Sequence, residues 1–284
     1  MEKELLNKEL NYDMPIKVAD GIYWIGFYDK EEKLHSNPYL IIEGDEAVVI
    51  DGGSRPNFAT VMMKILQTGI EPSKIKYLIY QHYDPDLCGS VANFEDIIDT
   101  GELKILSQKY NNIFIKYYSA LSPMLCIDEI GRKFKFSSGR ELKFIHTPYV
   151  HTAGSFITYD VKTRTAFTSD IFGSYSTNDD WELFMALFPE CYKCKDKNVN
   201  ACILKKKYCP VSDIIDFHRI IGTSEKALKY AVNMIFREKI DIIAPQHGSV
   251  ITSKEDIEFL KDVLINLNDV GIDYIIKDGN NNEK

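Results

Sequence analysis

At 284 residues the chain is long for one average domain but fits one large α/β domain, and its 45% hydrophobic content is enough to bury a sizeable core. A net charge of −8 and a pI near 5.4 disfavour nucleic acid and anionic membrane as partners. The charged start Met1-Glu2-Lys3-Glu4-Leu5 has no apolar signal core, and no apolar run is long enough to span a bilayer, so the sequence predicts a cytoplasmic protein.

Three strand-like runs open the chain: Gly21-Ile22-Tyr23-Trp24-Ile25, Asn37-Pro38-Tyr39-Leu40-Ile41-Ile42 and Ala47-Val48-Val49-Ile50. Glu43-Gly44-Asp45-Glu46 reads as the hairpin joining the last two. Asp51-Gly52-Gly53 reads as a strand-exit turn, with no ligand role for Asp51. Phe58, Val61, Met62, Ile65 and Leu66 recur at helical spacing, which predicts an amphipathic helix from Asn57 to Thr68 ended by Gly69. The run Ile75 to Tyr80 then reads as a buried strand, and Val91, Phe94, Ile97 and Ile98 as the face of a second helix. Strands are expected at Leu103 to Leu106, Lys133 to Phe136, Glu141 to His146, Phe156 to Tyr159 and Thr165 to Thr168.

Polar residues with metal-ligating chemistry follow four of the strand-like runs. Gln81-His82-Tyr83-Asp84-Pro85-Asp86 places His82, Asp84 and Asp86 in alternation directly after one strand. His151 follows the strand ending at His146, Asp170 follows Phe167-Thr168-Ser169, and His247 follows Ile242-Ile243-Ala244-Pro245-Gln246. In α/β sheets, ligand sites lie just past the carboxyl ends of strands. Three carboxylates with three imidazoles suit iron or manganese better than zinc, which favours a diiron centre. His146 competes with His151 for the ligand role, but it lies within its strand, so His151 is the candidate. His35 and His218 match no ligand position.

These residues, in this order and with Asp51-Gly52-Gly53 after an early strand, resemble the metallo-β-lactamase fold, and within it the diiron domain of flavodiiron proteins. The resemblance implies a single α/β domain over residues 1–284, built as a four-layer αββα sandwich. It implies two non-haem irons in an Fe–O–Fe type centre: one takes His82, Asp84 and His151, the other takes Asp86 and His247, and Asp170 bridges them. Asp84 stands where the family usually carries Glu, so its carboxylate reaches one methylene less far and the first iron should be held more loosely. Leu87 replaces the histidine that binds the second zinc in the hydrolase branch, which counts against a zinc-dependent hydrolase of an ester, lactone or phosphodiester.

The segment Ile171 to Glu190, with Phe172, Tyr175, Trp181, Phe184 and Phe188, is expected to cover the metal pocket or to pack the domain edge. Beyond it lies a Cys-rich insertion at about 191–209, where Cys191, Cys194, Cys202 and Cys209 cluster. In a reducing cytosol such clustering points to metal, and thiolates suit zinc or an iron–sulfur cluster. Cys88, close to the ligand triplet, is a candidate to support it. Ser224 is expected to cap one late helix and Ser253 another, and residues 278–284 form a polar tail expected to fray.

Complete flavodiiron proteins continue into a flavodoxin-like domain holding FMN, and this chain stops soon after its last predicted helix. The leading reading is therefore an O2-binding diiron protein, similar to the stand-alone diiron proteins that act as oxygen sensors in chemotaxis. That resemblance implies a chemotaxis kinase or receptor as partner, and a homodimer. The alternative is an O2 or NO reductase fed by a cluster on the four cysteines or by a separate electron-donor protein.

Overall fold

The computed structural model describes residues 7, 9–29, 34–175, 181–194, 200, 202, 204–205 and 207–282, with backbone alone for 278–282. The start Met1 to Leu5, residues 176–180 of the aromatic segment, residues 195–199, 201, 203 and 206 of the Cys-rich insertion, and residues 283–284 of the tail lie outside this set.

The strands are β1 (Ile16–Ala19), β2 (Ile22–Trp24), β3 (Phe27–Asp29), β4 (Leu34–Ser36), β5 (Tyr39–Glu43), β6 (Glu46–Ile50), β7 (Ile75–Ile79), β8 (Lys104–Ser107), β9 (Met124–Cys126), β10 (Lys133–Lys135), β11 (Glu141–His146), β12 (Phe156–Asp160), β13 (Thr165–Phe167) and β14 (Ile242–Ala244). The helices are α1 (Phe58–Gln67), α2 (Pro85–Cys88), α3 (Val91–Ile98), α4 (Lys109–Ile115), α5 (Pro210–Ile221), α6 (Glu225–Ile235), α7 (Lys254–Ile265) and α8 (Ile272–Asn282). Thus α8 carries helical backbone across most of the segment expected to fray.

A seven-stranded sheet has the order β1-β2-β5-β6-β7-β8-β9 and a five-stranded sheet the order β10-β11-β12-β13-β14. The β5–β6 hairpin closes on the pair Glu43 and Glu46, with Gly44 at φ 59° supplying the left-handed turn residue. From β6 to β9 the pairing is parallel, the helices serving as crossovers.

Alternation along the strands separates three apolar layers. Tyr39, Ile41, Val48, Ile50 and Ile79 of the first sheet face Phe144, Phe156 and Phe167 of the second. On the other side of the first sheet, Leu40, Val49 and Leu78 pack against Val61 and Ile65 of α1 and Phe94 of α3. On the outer side of the second sheet, Ile157, Ala166 and Ile243 pack against Ile214 of α5, Val232 of α6 and Leu260 of α7. Helix, sheet, sheet, helix is the αββα sandwich predicted from the sequence. Ser224 and Ser253 cap α6 and α7 as expected, their side chains accepting from the Ala227 and Asp256 amides.

One buried polar link ties the two sheets. The Arg140 guanidinium, next to β11, donates two bonds to the Asp160 carboxylate on β12, at 2.8 and 2.9 Å, and a third to Glu43 on β5, at 3.1 Å. Asp160 is fully buried, so removing its partner strands a carboxylate away from water. Arg140→Met is expected to destabilise the chain by about 3 kcal/mol or more in urea unfolding; a loss below about 1 kcal/mol, the range of an exposed pair, would contradict this account.

Candidate metal centre

The strand ends converge. His82 follows β7; Asp84 is the residue before α2 and Asp86 lies in its first turn; His151 lies between β11 and β12; Asp170 follows β13; His247 follows β14. Pro85 at the start of α2 needs no amide partner there, so the short helix begins directly after Asp84.

Asp170 stands between two groups of side chains. Its Oδ2 lies 3.7 Å from His82 Nε2 and 3.3 Å from His151 Nε2, whereas its Oδ1 lies 3.7 Å from His247 Nε2. Asp84 Oδ2 is 3.1 Å from His151 Nε2 and 3.7 Å from His82 Nε2, so the shorter carboxylate still reaches its group. On the other side, Asp86 Oδ2 is 3.3 Å from His247 Nε2. Ligand atoms of His82, Asp84 and His151 all lie within 4.8 Å of one another.

The imidazoles are oriented from behind. His82 Nδ1 lies 2.9 Å from Ser169 Oγ, and His247 Nδ1 donates to the His35 carbonyl at 2.8 Å, so in both rings Nε2 is the atom left to face the carboxylates. Asp86 accepts from Gln246 Nε2 at 2.9 Å. Asp51 takes no place among the six; its carboxylate accepts the Gln81 amide and side chain at 3.0 and 2.9 Å, while Gln81 Oε1 accepts the Thr158 amide. That chain of bonds sets the turn that presents His82. Cys88 Sγ lies 3.5 Å from the His82 carbonyl, the supporting place expected for it.

The His247 turn is held by Asn37. Fully buried, Asn37 accepts from Trp24 Nε1 and donates to the carbonyls of Pro245 and Gly248, at 2.8, 3.0 and 2.8 Å. Gly248, at φ 80°, admits no side chain, because a Cβ there would stand 2.2 Å from Ser174 Oγ. Around the site, Asp51, Tyr149, Ser169 and Phe172 all carry left-handed backbone, φ 53° to 67°. Such residues cost about 1–3 kcal/mol each and gather where geometry serves function.

The charges are tightly coupled. Burial opposes a charged His247, but its bond to Asp86, with the charges of Asp86 and Asp170, holds its pKa up at about 9. Burial likewise opposes a charged His151, which Asp84 and Asp170 raise in the same way. Burial pushes Asp51 up to about 6 against the pull of His82 and Gln81. Three imidazole nitrogens and three carboxylates facing one another across a few ångströms are a donor set for two cations of the iron or manganese type.

Residues 34–248 match the sequence model of the ODP family of β-lactamases. The chain belongs to that family. Its relatives include an uncharacterised protein of Methanocaldococcus jannaschii, 25% identical over 84% of this chain and 57% of the relative. A diflavin flavoprotein of Synechocystis is 28% identical over 50% of this chain and 24% of its own. The chain thus spans about a quarter to a little over half of these relatives. Among solved structures, the apo chemotaxis sensor ODP of T. denticola is similar at TM-score 0.71 and 25% identity, covering 93% of this chain and 97% of that one. The flavodiiron protein of Giardia intestinalis shares the fold at TM-score 0.70 and 19% identity, over 90% and 60% of the two chains.

All six sequence-predicted residues meet at this place. His146 stays outside it, 3.1 Å from Asp128, and His218 is satisfied by the Ile214 carbonyl and the Phe172 amide. The aromatic segment divides: Phe172 packs in the core against Phe236, Trp181 stacks on His35, and Tyr175 alone of the five approaches the centre, 6.3 Å from the His247 ring. Sequence reasoning missed Asn37, Gln81, Ser169 and Gln246. Only Gln81 and Gln246 carried a signal, each standing directly before a candidate histidine.

A histidine must be neutral to ligate a metal. His247, with its pKa near 9, is protonated at neutral pH in the metal-free chain and must shed that proton when a ferrous ion binds. Titration calorimetry in buffers of different ionisation enthalpy should show proton release at neutral pH that fades as pH rises past about 9. A proton count independent of pH would contradict the coupling.

Proposed function

We propose that His82, Asp84 and His151 hold one iron, that Asp86 and His247 hold a second, and that Asp170 bridges them. On this reading the chain binds O2 at the pair and acts as an oxygen sensor rather than as a complete reductase. The observation that carries it is the division of Asp170, one oxygen toward His82 and His151 and the other toward His247. When bound, the irons supply ferrous electrons and open coordination positions for O2.

The chain's own groups do the rest. Ser169 and the His35 carbonyl keep two imidazoles turned Nε2-first toward the metals. Burial and the site's carboxylates push the Tyr175 phenol up to about 12, so it stays protonated and supplies a hydrogen-bond donor beside His247. Leu87 is fully buried against the α1 and α3 packing, which leaves the hydrolase branch's extra zinc ligand without a counterpart. The chemotaxis sensor ODP among the solved relatives supports a signalling role, with a chemotaxis kinase or receptor as the reader and a dimer as the signalling form.

The reductase reading has one specific observation in its favour, the four thiols Cys191, Cys194, Cys202 and Cys209, which offer a second centre of zinc or iron–sulfur type. The relatives named as a coenzyme F420H2 oxidase of Methanocaldococcus jannaschii and as flavo-diiron proteins support it as well. The two readings separate in one experiment. Chain loaded with ferrous iron alone, without sulfide, and kept anaerobic until O2 is admitted should take up one equivalent and stop, with NADH and a reductase mixture adding no sustained consumption. Continuous O2 consumption under the same conditions would make it a reductase.

A further inference from the structure

The function proposed above leaves a cavity of about 520 Å³ unused, lined by Cys191, Cys202 and Cys209 together with Trp181, Leu204 and Lys207. Cys194 follows directly, its amide bonded to the Cys191 carbonyl at 3.2 Å across the turn Cys191–Lys193. All four thiols are free and partly buried. Their electrostatics shows them to be mutual neighbours: burial first, and then the nearness of Cys202 and Cys194, raises the Cys191 thiol, and Cys191 in turn acts on Cys209.

Burial raises the Cys209 thiol as it raises Cys191, against the lowering pull of the Ser212 and Val211 backbone at the open N-terminus of the twelve-residue α5 and of the Phe188 backbone at Cys191. Amide N–H groups aimed at sulfur favour the thiolate form, and in iron–sulfur proteins they tune the cluster.

Room decides the metal. A single zinc needs four sulfurs on a tetrahedron with edges of about 3.8 Å, given a Zn–S bond of about 2.3 Å, whereas Cys191, Cys202 and Cys209 line an open volume of about 520 Å³, with room for a cage of iron and sulfide between them.

The same wall leads to the metal centre. Trp181 lies between the cavity and His35, stacked on that ring at 3.7 Å between centroids and 17° between planes. His35 is buried, and its carbonyl accepts from His247 Nδ1 at 2.8 Å. Its ring nitrogens have no partner among the described residues.

We propose that Cys191, Cys194, Cys202 and Cys209 ligate an iron–sulfur cluster, and that Trp181 and His35 join it to His247 for one-electron exchange. The cluster takes one electron from an external one-electron carrier protein, leaving that carrier oxidised. It passes the same electron along the stack to a ferric ion, which becomes ferrous, so the cluster returns to its oxidised state. The cluster stands on the thiols alone, whereas the exchange rests on the diiron reading of the six-residue site.

The test uses the full chain, anaerobically reconstituted with iron and sulfide, and counts iron, zinc and acid-labile sulfide. Wild type should carry sulfide and show a cluster EPR signal on reduction with dithionite. The double variant C202S/C209S should lose all sulfide and keep two irons, while Asp170→Ala should lose iron and keep its sulfide. That pair of results tells a failure of the cluster from a failure of the diiron site. If the double variant does not fold, the wild-type sulfide count and EPR signal decide alone. Zinc without sulfide, or sulfide undiminished in a folded double variant, would overturn the cluster. Trp181→Leu should keep sulfide and iron but slow reoxidation of the reduced cluster by the ferric pair several-fold; an unchanged rate would overturn the connecting stack.

Discussion

Everything in the fold answers to one electrostatic constraint, the crowding of three carboxylates and three imidazoles into one cleft. Asp170 is almost wholly buried and has His82, His151 and His247 all within 3.7 Å. Left alone, such a set relaxes by moving apart or by protonating. Separation is blocked, because Asn37 clamps the His247 turn, the Asp51 and Gln81 bonds set the His82 turn, and Ser169 holds the His82 ring. Protonation remains, and His247 accordingly holds its proton well past neutrality. A pair of metal cations replaces those protons and satisfies all three carboxylates together.

This constraint explains which parts were legible in the sequence. The ligands could be read because each follows an apolar run that can only be a buried strand, and strand ends in such a sheet gather on one edge. The αββα layering was legible for the same reason, through the alternation in Tyr39 to Ile42 and Ala47 to Ile50 and the helical spacing of Phe58 to Leu66. The residues that aim the ligands were not. Asn37 reaches Gly248 across more than two hundred residues and Ser169 reaches His82 across 87, and no local pattern announces a bond of that span. The short strands β3 and β4 were also missed, having three residues each and little periodicity to read.

The aromatic segment after Asp170 shows where residue type misleads about place. Five large rings near a metal ligand suggest a common cover, but their neighbours scatter them: Phe172 to the core beside α6, Tyr175 to the centre, Trp181 to His35, and Phe184 and Phe188 to the wall of the thiol cavity. That scatter puts a stacked pair of rings between four cysteines and His247. A chain built only to hold O2 has no evident use for such a connection. A chain whose irons must be returned to the ferrous state does, whether it senses O2 once or reduces it repeatedly.

The central claim is that Asp170 joins two irons into one coupled centre. Mössbauer spectroscopy of chain loaded with isotopically enriched iron and oxidised by air measures this directly, in wild type and in Asp170→Asn. To keep any cluster iron out of the spectrum, both proteins should carry Ser at Cys202 and Cys209. Wild type should show a spin-coupled pair with a diamagnetic ground state, and the Asp170 variant should lose that coupling. Magnetically isolated ferric ions in wild type, or coupling that survives loss of the bridge, would contradict the account.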